Sequence, residues 1–289
     1  VGPPRLMTSS IIGSTADINL RKADFPAGTL RALQLTDTHL YADPLGTLLG
    51  MNTLQSLQQV IRHFRDVHWP LDMLLATGDL VHDASPRGYA KLAEMLSGFD
   101  VPVLCLPGNH DAPAKMRLHL RADRVSTDSV GDCGAWRFVM LDSVVPGAEG
   151  GHLAEDQLEL LDQALAATDR HVLVCMHHQP VDVGSDWIDS MAIDNPDPLF
   201  EIIDRHPNVR GVLWGHVHQT FEARRGQVRL MSSPSTCVQF APRQKDFRVD
   251  EEPPGFRLLA LLPSGMIRSE VVRVDEIPRG LEFASSGYS

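Results

Sequence analysis

From residue 30 onward the chain alternates short apolar runs with longer stretches in which apolar residues recur every three or four positions. Strand-like and helix-like periods in alternation are the pattern of an α/β fold. Residues 32–36, 73–77, 103–106, 136–141, 172–176 and 209–214 read as strands. Between them, 52–67 sets Leu54, Leu57, Val60, Ile61 and Phe64 on one helical face, and 155–166 does the same with Leu158, Leu161 and Leu165. Ser85-Pro86 opens a helix over 86–96, because Ser can cap free N–H groups and Pro fits the first turn. A further helix covers 198–204. Beyond it the pattern turns to hairpins, with strands within 221–231, 256–262 and 266–274 and turns at Arg225-Gly226 and Ser264-Gly265.

Residues 1–29 carry Pro, Gly, Ser and Thr without a sustained period, so they are predicted to be a disordered N-terminal extension. Residues 30–274 then form a single domain, and 275–289 a C-terminal tail. With 26 Lys+Arg against 37 Asp+Glu the net charge is −11, which argues against a nucleic-acid or anionic-membrane partner and leaves a small substrate. No stretch approaches the roughly 18 apolar residues of a membrane span. Cys105, Cys133, Cys175 and Cys237 are scattered, which reads as free thiols in a reducing compartment; the expected location is cytoplasmic.

Five apolar runs each finish in a polar cluster: Thr36-Asp37-Thr38-His39, Gly78-Asp79, Gly108-Asn109-His110-Asp111, His177-His178 and Gly215-His216-Val217-His218. Loops at the carboxyl ends of strands converge on one crevice in open α/β sheets, so the clusters are expected to meet. Asp37 and His39 are two apart, as are His216 and His218, so persisting strand geometry would point each pair the same way. Carboxylate, imidazole and amide donors without thiolate suit Mn, Fe, Co or Zn, and there are enough for two ions. Two cations about 4 Å apart can activate a shared hydroxide and clamp a phosphoryl group. Glycine before the key residue (Gly78, Gly108, Gly215) allows close backbone approach. Each cluster alone is more often a turn or surface feature; five in order are not. The other histidines, His82 among them, follow no such pattern and receive no role. Arg224-Arg225 reads as a solvated hairpin tip.

This ordered set resembles the calcineurin-like metallophosphoesterase signature. The resemblance implies a sandwich of two mixed sheets flanked by helices, α/β/β/α, with the metal site at the carboxyl ends of the strands. It implies one ion on Asp37, His39, Asp79 and His218 and another on Asp79, Asn109, His177 and His216, with Fe or Mn expected and Co or Zn as alternatives. His177 is preferred to His178 as the ligand. His110 would act over the phosphate, stabilising charge or protonating the departing alkoxide, with Asp111 orienting it.

The segments Thr36-Asp37-Thr38-His39-Leu40, Leu48-Leu49-Gly50-Met51-Asn52-Thr53 and Pro234-Ser235-Thr236-Cys237-Val238-Gln239-Phe240 are similar to bacterial class III 3′,5′-cyclic-AMP phosphodiesterases. That likeness implies hydrolysis of the cyclic nucleotide to 5′-AMP by a hydroxide shared between the metals. His39, Asp79, Asn109, His110 and His218 would face the substrate, and Asn52, Thr236 and Gln239 would wall its pocket, with the loops 43–52, 184–198 and 233–240 setting selectivity. Another small phosphodiester, a nucleotide pyrophosphate, a phosphoprotein or a non-catalytic scaffold remain the competing readings.

Overall fold

A computed structural model of the chain describes residues 19–287. The first half of the chain runs β1 (Leu30–Leu35), the short hairpin β2 (Thr47–Leu48) and β3 (Met51–Asn52), α1 (Thr53–Val67), β4 (Met73–Thr77), α2 (Pro86–Ser97), β5 (Val103–Leu106), α3 (Pro113–His119) and β6 (Val125–Ser126). β1, β4, β5 and β6 lie parallel in one sheet. A strand that is apolar on both faces needs cover on both sides, and β4 is buried at all five positions.

The second sheet follows with β7 (Val130–Cys133), β8 (Trp136–Met140), α4 (Glu155–Ala166), β9 (His171–Cys175), α5 (Asp186–Asp189), α6 (Pro196–Arg205), β10 (Val209–Trp214), β11 (Phe221–Arg225) and β12 (Val228–Ser232). β8, β9, β10 and β12 are parallel, with β11 and β7 as antiparallel edges. The chain then returns to the first sheet as β13 (Gly255–Leu261) and β14 (Ile267–Arg273), with β13 antiparallel to β1.

Alternation along each strand divides the apolar side chains among three layers. Leu33 and Leu35 pack with Leu57, Val60, Ile61 and Phe64 of α1, whereas Leu30 and Ala32 face Trp136, Phe138, Leu173 and Leu213 between the sheets. On the far side, Val172, Val174 and Val212 meet Leu161 and Leu165 of α4 and Leu199 and Ile203 of α6. The architecture is therefore α/β/β/α, the fold class expected. Asn52 caps α1 by accepting the Gln55 N–H at 2.8 Å, and Ser85 caps α2 by accepting the Gly88 N–H at 3.1 Å.

Of the N-terminal segment read as disordered, residues 1–18 lie outside those described. Within residues 19–29 the segment is anchored at one point: Leu20 starts a 3₁₀ turn, is 2% exposed in the first core, and donates its N–H to Glu270. One buried leucine and a contact 250 residues away leave no period in the sequence. Along the tail, Ile277 and Leu281 pack on a cluster of Leu48, Met51, Val238 and Phe240.

Candidate metal centre

Asp37 and His39 follow β1, Asp79 follows β4, Asn109 and His110 follow β5, His177 follows β9, and His216 and His218 follow β10. The backbone ties these corners together. Asp37 N–H donates to Gly78 O at 3.0 Å, His39 N–H to Asp79 O at 2.9 Å and Gly215 N–H to His177 O at 3.1 Å. Across the sheets, His216 N–H donates to the Asp37 carboxylate at 3.1 Å. The five clusters thus form one site, buried except for Asn109 and His110, which are half-buried.

Strand geometry does not persist into these loops, contrary to the expectation for Asp37-x-His39 and His216-x-His218. Asp37, His39, Asp79, His216 and His218 have φ of 54°, 44°, 49°, 64° and 46°, the left-handed region that side chains rarely adopt. Five strained corners at one site mark a geometry held by its surroundings for a purpose. The close approach expected at glycine is real: a Cβ on Gly108 would overlap the Asp79 amide nitrogen and Oδ1.

Second-layer acceptors fix the imidazoles. His218 Nδ1 lies 2.7 Å from Val238 O; a carbonyl only accepts, so Nδ1 carries the hydrogen. The Nε2 lone pair then faces Asp37 Oδ1 and His39 Nε2, each at 3.3 Å. His177 Nδ1 lies 3.0 Å from Thr77 O, which leaves Nε2 facing Asn109 Oδ1 at 3.1 Å and Asp79 Oδ2 at 3.3 Å. Both nitrogens of His216 and Asp79 Oδ2 are buried without a hydrogen-bond partner. Such groups cost about 1–3 kcal/mol each when nothing satisfies them.

Charge follows the same logic. Burial, then the neighbouring histidines, keeps His216 well below the ordinary histidine pKa, and burial does the same to His39, so both present neutral rings. Burial would also lower His177, but the Asp79 carboxylate outweighs it and pushes the ring up to about 9. Burial works to raise Asp79; His177 and His110 prevail and hold it well below the carboxylate range. Such a set of acceptors favours a cation, and a metal bound at His177 would displace its proton. Donor atoms within 4.8 Å of one another occur among the described residues as Asp37/His39/His218, Asp37/Asp79/His177, His177/His178/His216 and His39/His82/His110. An oxygen and imidazole set with unpartnered members fits a pair of borderline divalent ions.

Several expected residues do other work. His178 has both ring nitrogens engaged, Nδ1 with Ser143 Oγ at 2.8 Å and Nε2 with Glu149 O at 3.1 Å, which favours His177 as the ligand. Asp111, assigned to orienting His110, accepts from the Leu80, Val81 and Gly108 amides and the Tyr89 hydroxyl. Four bonds fill a carboxylate, so Asp111 clamps the β4 and β5 loops.

Asn52 caps α1 and donates to Pro44 O, while Gln239 donates to Ser235 O and Cys237 O and accepts from Arg273. Both N–H groups of Gln239 are thus engaged within the chain, while Asn52 keeps one N–H and one oxygen lone pair. Thr236 keeps an unpartnered hydroxyl but is fully buried. Arg225 pairs with Asp204 at the hairpin tip.

The residue missed from sequence is His82. It stands three positions after Asp79, and its ring stacks on that of His110 with centroids 4.3 Å apart. A histidine on the exit side of a Gly-Asp corner is the signal that a loop reading passes over.

Fold and site together define a calcineurin-like phosphoesterase, and the chain belongs to that family, whose model matches residues 30–220. Within it, the chain is 40% identical over 271 residues to the 3′,5′-cyclic adenosine monophosphate phosphodiesterase CpdA of Pseudomonas aeruginosa, spanning 93% of this chain and 99% of that one. It is 38% identical over 261 residues to CpdA of Escherichia coli K12, covering 90% of this chain and 95% of the other. A dimetal phosphatase from Danio rerio shares the fold, with a TM-score of 0.60, 14% identity and coverage of 85% and 99%.

Proposed function

We propose that the chain is a dinuclear metal-dependent phosphodiesterase that hydrolyses 3′,5′-cyclic AMP to 5′-AMP. The observation that carries the chemistry is the set of buried acceptors facing one another at the five strand ends. The substrate is supported by near full-length similarity to enzymes named for cyclic AMP.

Asp37, His39, Asp79 and His218 would hold one ion, and Asp79, Asn109, His177 and His216 the other. Bound divalent ions supply charge neutralisation on the phosphoryl oxygens and acidify water near neutral pH. Val238 O and Thr77 O keep the Nε2 lone pairs of His218 and His177 aimed inward. Asp79 Oδ1 accepts the His110 N–H at 2.9 Å, which fixes the loop that carries the half-buried His110 ring. That ring delivers a proton to the 3′ oxygen as its bond to phosphorus breaks and water's oxygen is retained on the phosphate. Free cysteines fit work in a reducing cytoplasm. Among the described residues no helix is long and apolar enough to cross a membrane.

The test is 5′-AMP formation from cyclic AMP with Mn²⁺ or Fe²⁺, run beside bis(p-nitrophenyl) phosphate. Turnover of both is expected. Turnover of the generic diester alone would keep the metal site and redirect the substrate to another phosphodiester or a pyrophosphate.

A further inference from the structure

His82 lies in the turn between β4 and α2, half-buried beside the centre. Its Nδ1 is 3.0 Å from His39 Nδ1, so one hydrogen is shared between two ring nitrogens. His39 Nε2 faces the opposite way, toward His218 Nε2 at 3.3 Å and Asp79 Oδ2 at 3.7 Å. A ligand must present a lone pair there, so the His39 hydrogen sits on Nδ1 and is donated to His82 Nδ1. His82 then carries its own hydrogen on Nε2. Val238 O and Thr77 O play this acceptor part for His218 and His177; at His39 a side chain takes it.

The same ring has a second contact. His82 stacks on His110 at 4.3 Å with planes 19° apart, and Tyr41 lies on it at 4.9 Å. Its backbone is anchored, since His82 N–H donates to Leu40 O at 2.8 Å.

We propose that His82 is a positioning residue that couples the two halves of the site: its Nδ1 sets the tautomer of the ligand His39, and its face sets the angle of the proton donor His110. The inference rests on the roles given to His39 and His110 under the proposed function. Two variants separate the halves. His82→Phe keeps a ring against His110 and removes the acceptor; His82→Asn keeps an acceptor near the Nδ1 position and removes the ring.

Calorimetric titration of metal-free protein with Mn²⁺ reads the first half, and His82→Phe is expected to weaken binding by about 10–100-fold. The second half is read by rates at saturating Mn²⁺. p-Nitrophenolate leaves without a proton whereas a 3′ alkoxide does not, so His82→Asn should lose roughly tenfold more on cyclic AMP than on bis(p-nitrophenyl) phosphate. Thermal midpoints confirm that both variants are folded. Parental Mn²⁺ affinity in His82→Phe, or a parental rate ratio in His82→Asn, overturns the coupling. If the parent itself turns over neither substrate the proposed function fails, while the Mn²⁺ titration still decides the His39 half.

Discussion

Between the sheets, fully buried Arg257 on β13 donates to Ser233 Oγ, Ser232 O, Ser269 Oγ and the Glu222 carboxylate at 2.6–3.1 Å; past the carboxyl end of β4, equally buried Asp79 leaves Oδ2 with no hydrogen bond. Around Arg257 each step pairs a donor with an acceptor, on through Ser233 and Gln34 to Thr77 Oγ1 and Trp214 O. Around the metal centre, Asp79 Oδ2 and both ring nitrogens of His216 are buried with no such partner. Burial of charge does not separate structure from function here. What separates them is whether the chain supplies the partner.

The comparison breaks most sharply at Asp79. Asp79→Asn removes the charge common to both proposed ions, and kcat/KM for cyclic AMP should fall roughly 10³-fold or more, with metal content lost. Full activity with two ions bound would end the assignment.

Next in size is His178, one residue from His177 but on the partnered side of the divide. Burial, then His177, pushes its pKa down to about 3. A histidine depressed in the fold lends stability that is complete above the unfolded value near 6.5 and is lost as pH falls from there toward 3. The contribution is at most about 5 kcal/mol. Metal-free protein should therefore melt lower with each step below pH 6.5, and His178→Asn should flatten that slope. Equal slopes would show that the fold does not hold His178 neutral.

Asp111→Asn turns an acceptor of four hydrogen bonds into a group with a donor among donors. Its expected cost is about 3 kcal/mol, read as a fall of several degrees in Tm. The smallest effect belongs to the network between the sheets. Glu222 is 44% exposed, so Glu222→Ala should cost about 2 kcal/mol of stability and leave Mn²⁺ affinity at the parental value. A drop in affinity would mean that the two regions are coupled.

Elements whose residues are apolar on a fixed period were legible from sequence alone. Residues 73–77, 103–106, 155–166 and 209–214 have the bounds expected of them. α3 and β7 were not: α3 buries only Met116 and has no side-chain cap, and β7 is an edge strand, Val-Gly-Asp-Cys, with no fully buried residue. Their stability comes from tertiary contact, which leaves no period.

At the site, the five clusters could be read because Asp, His and Asn in strand-end corners are rare without a use. The direction of a side chain could not. Whether Asp111 turns to His110 or to three amides, and whether Asn52 faces a pocket or caps a helix, is decided by chain far away in sequence.

The ligand assignment also carries a mechanical consequence. Asp37, His39, Asp79 and Asn109 hang from one sheet, and His177, His216 and His218 from the other. A pair of ions held by all seven is a rivet through two plates. Sliding one sheet along the other by a single residue, about 3.3 Å, would shear every bond in it. With the proposed ions bound, the sandwich would hold its inter-sheet alignment more tightly than its own packing demands, with the apolar layer of Trp136, Phe138, Leu213 and Leu259 as the bearing surface.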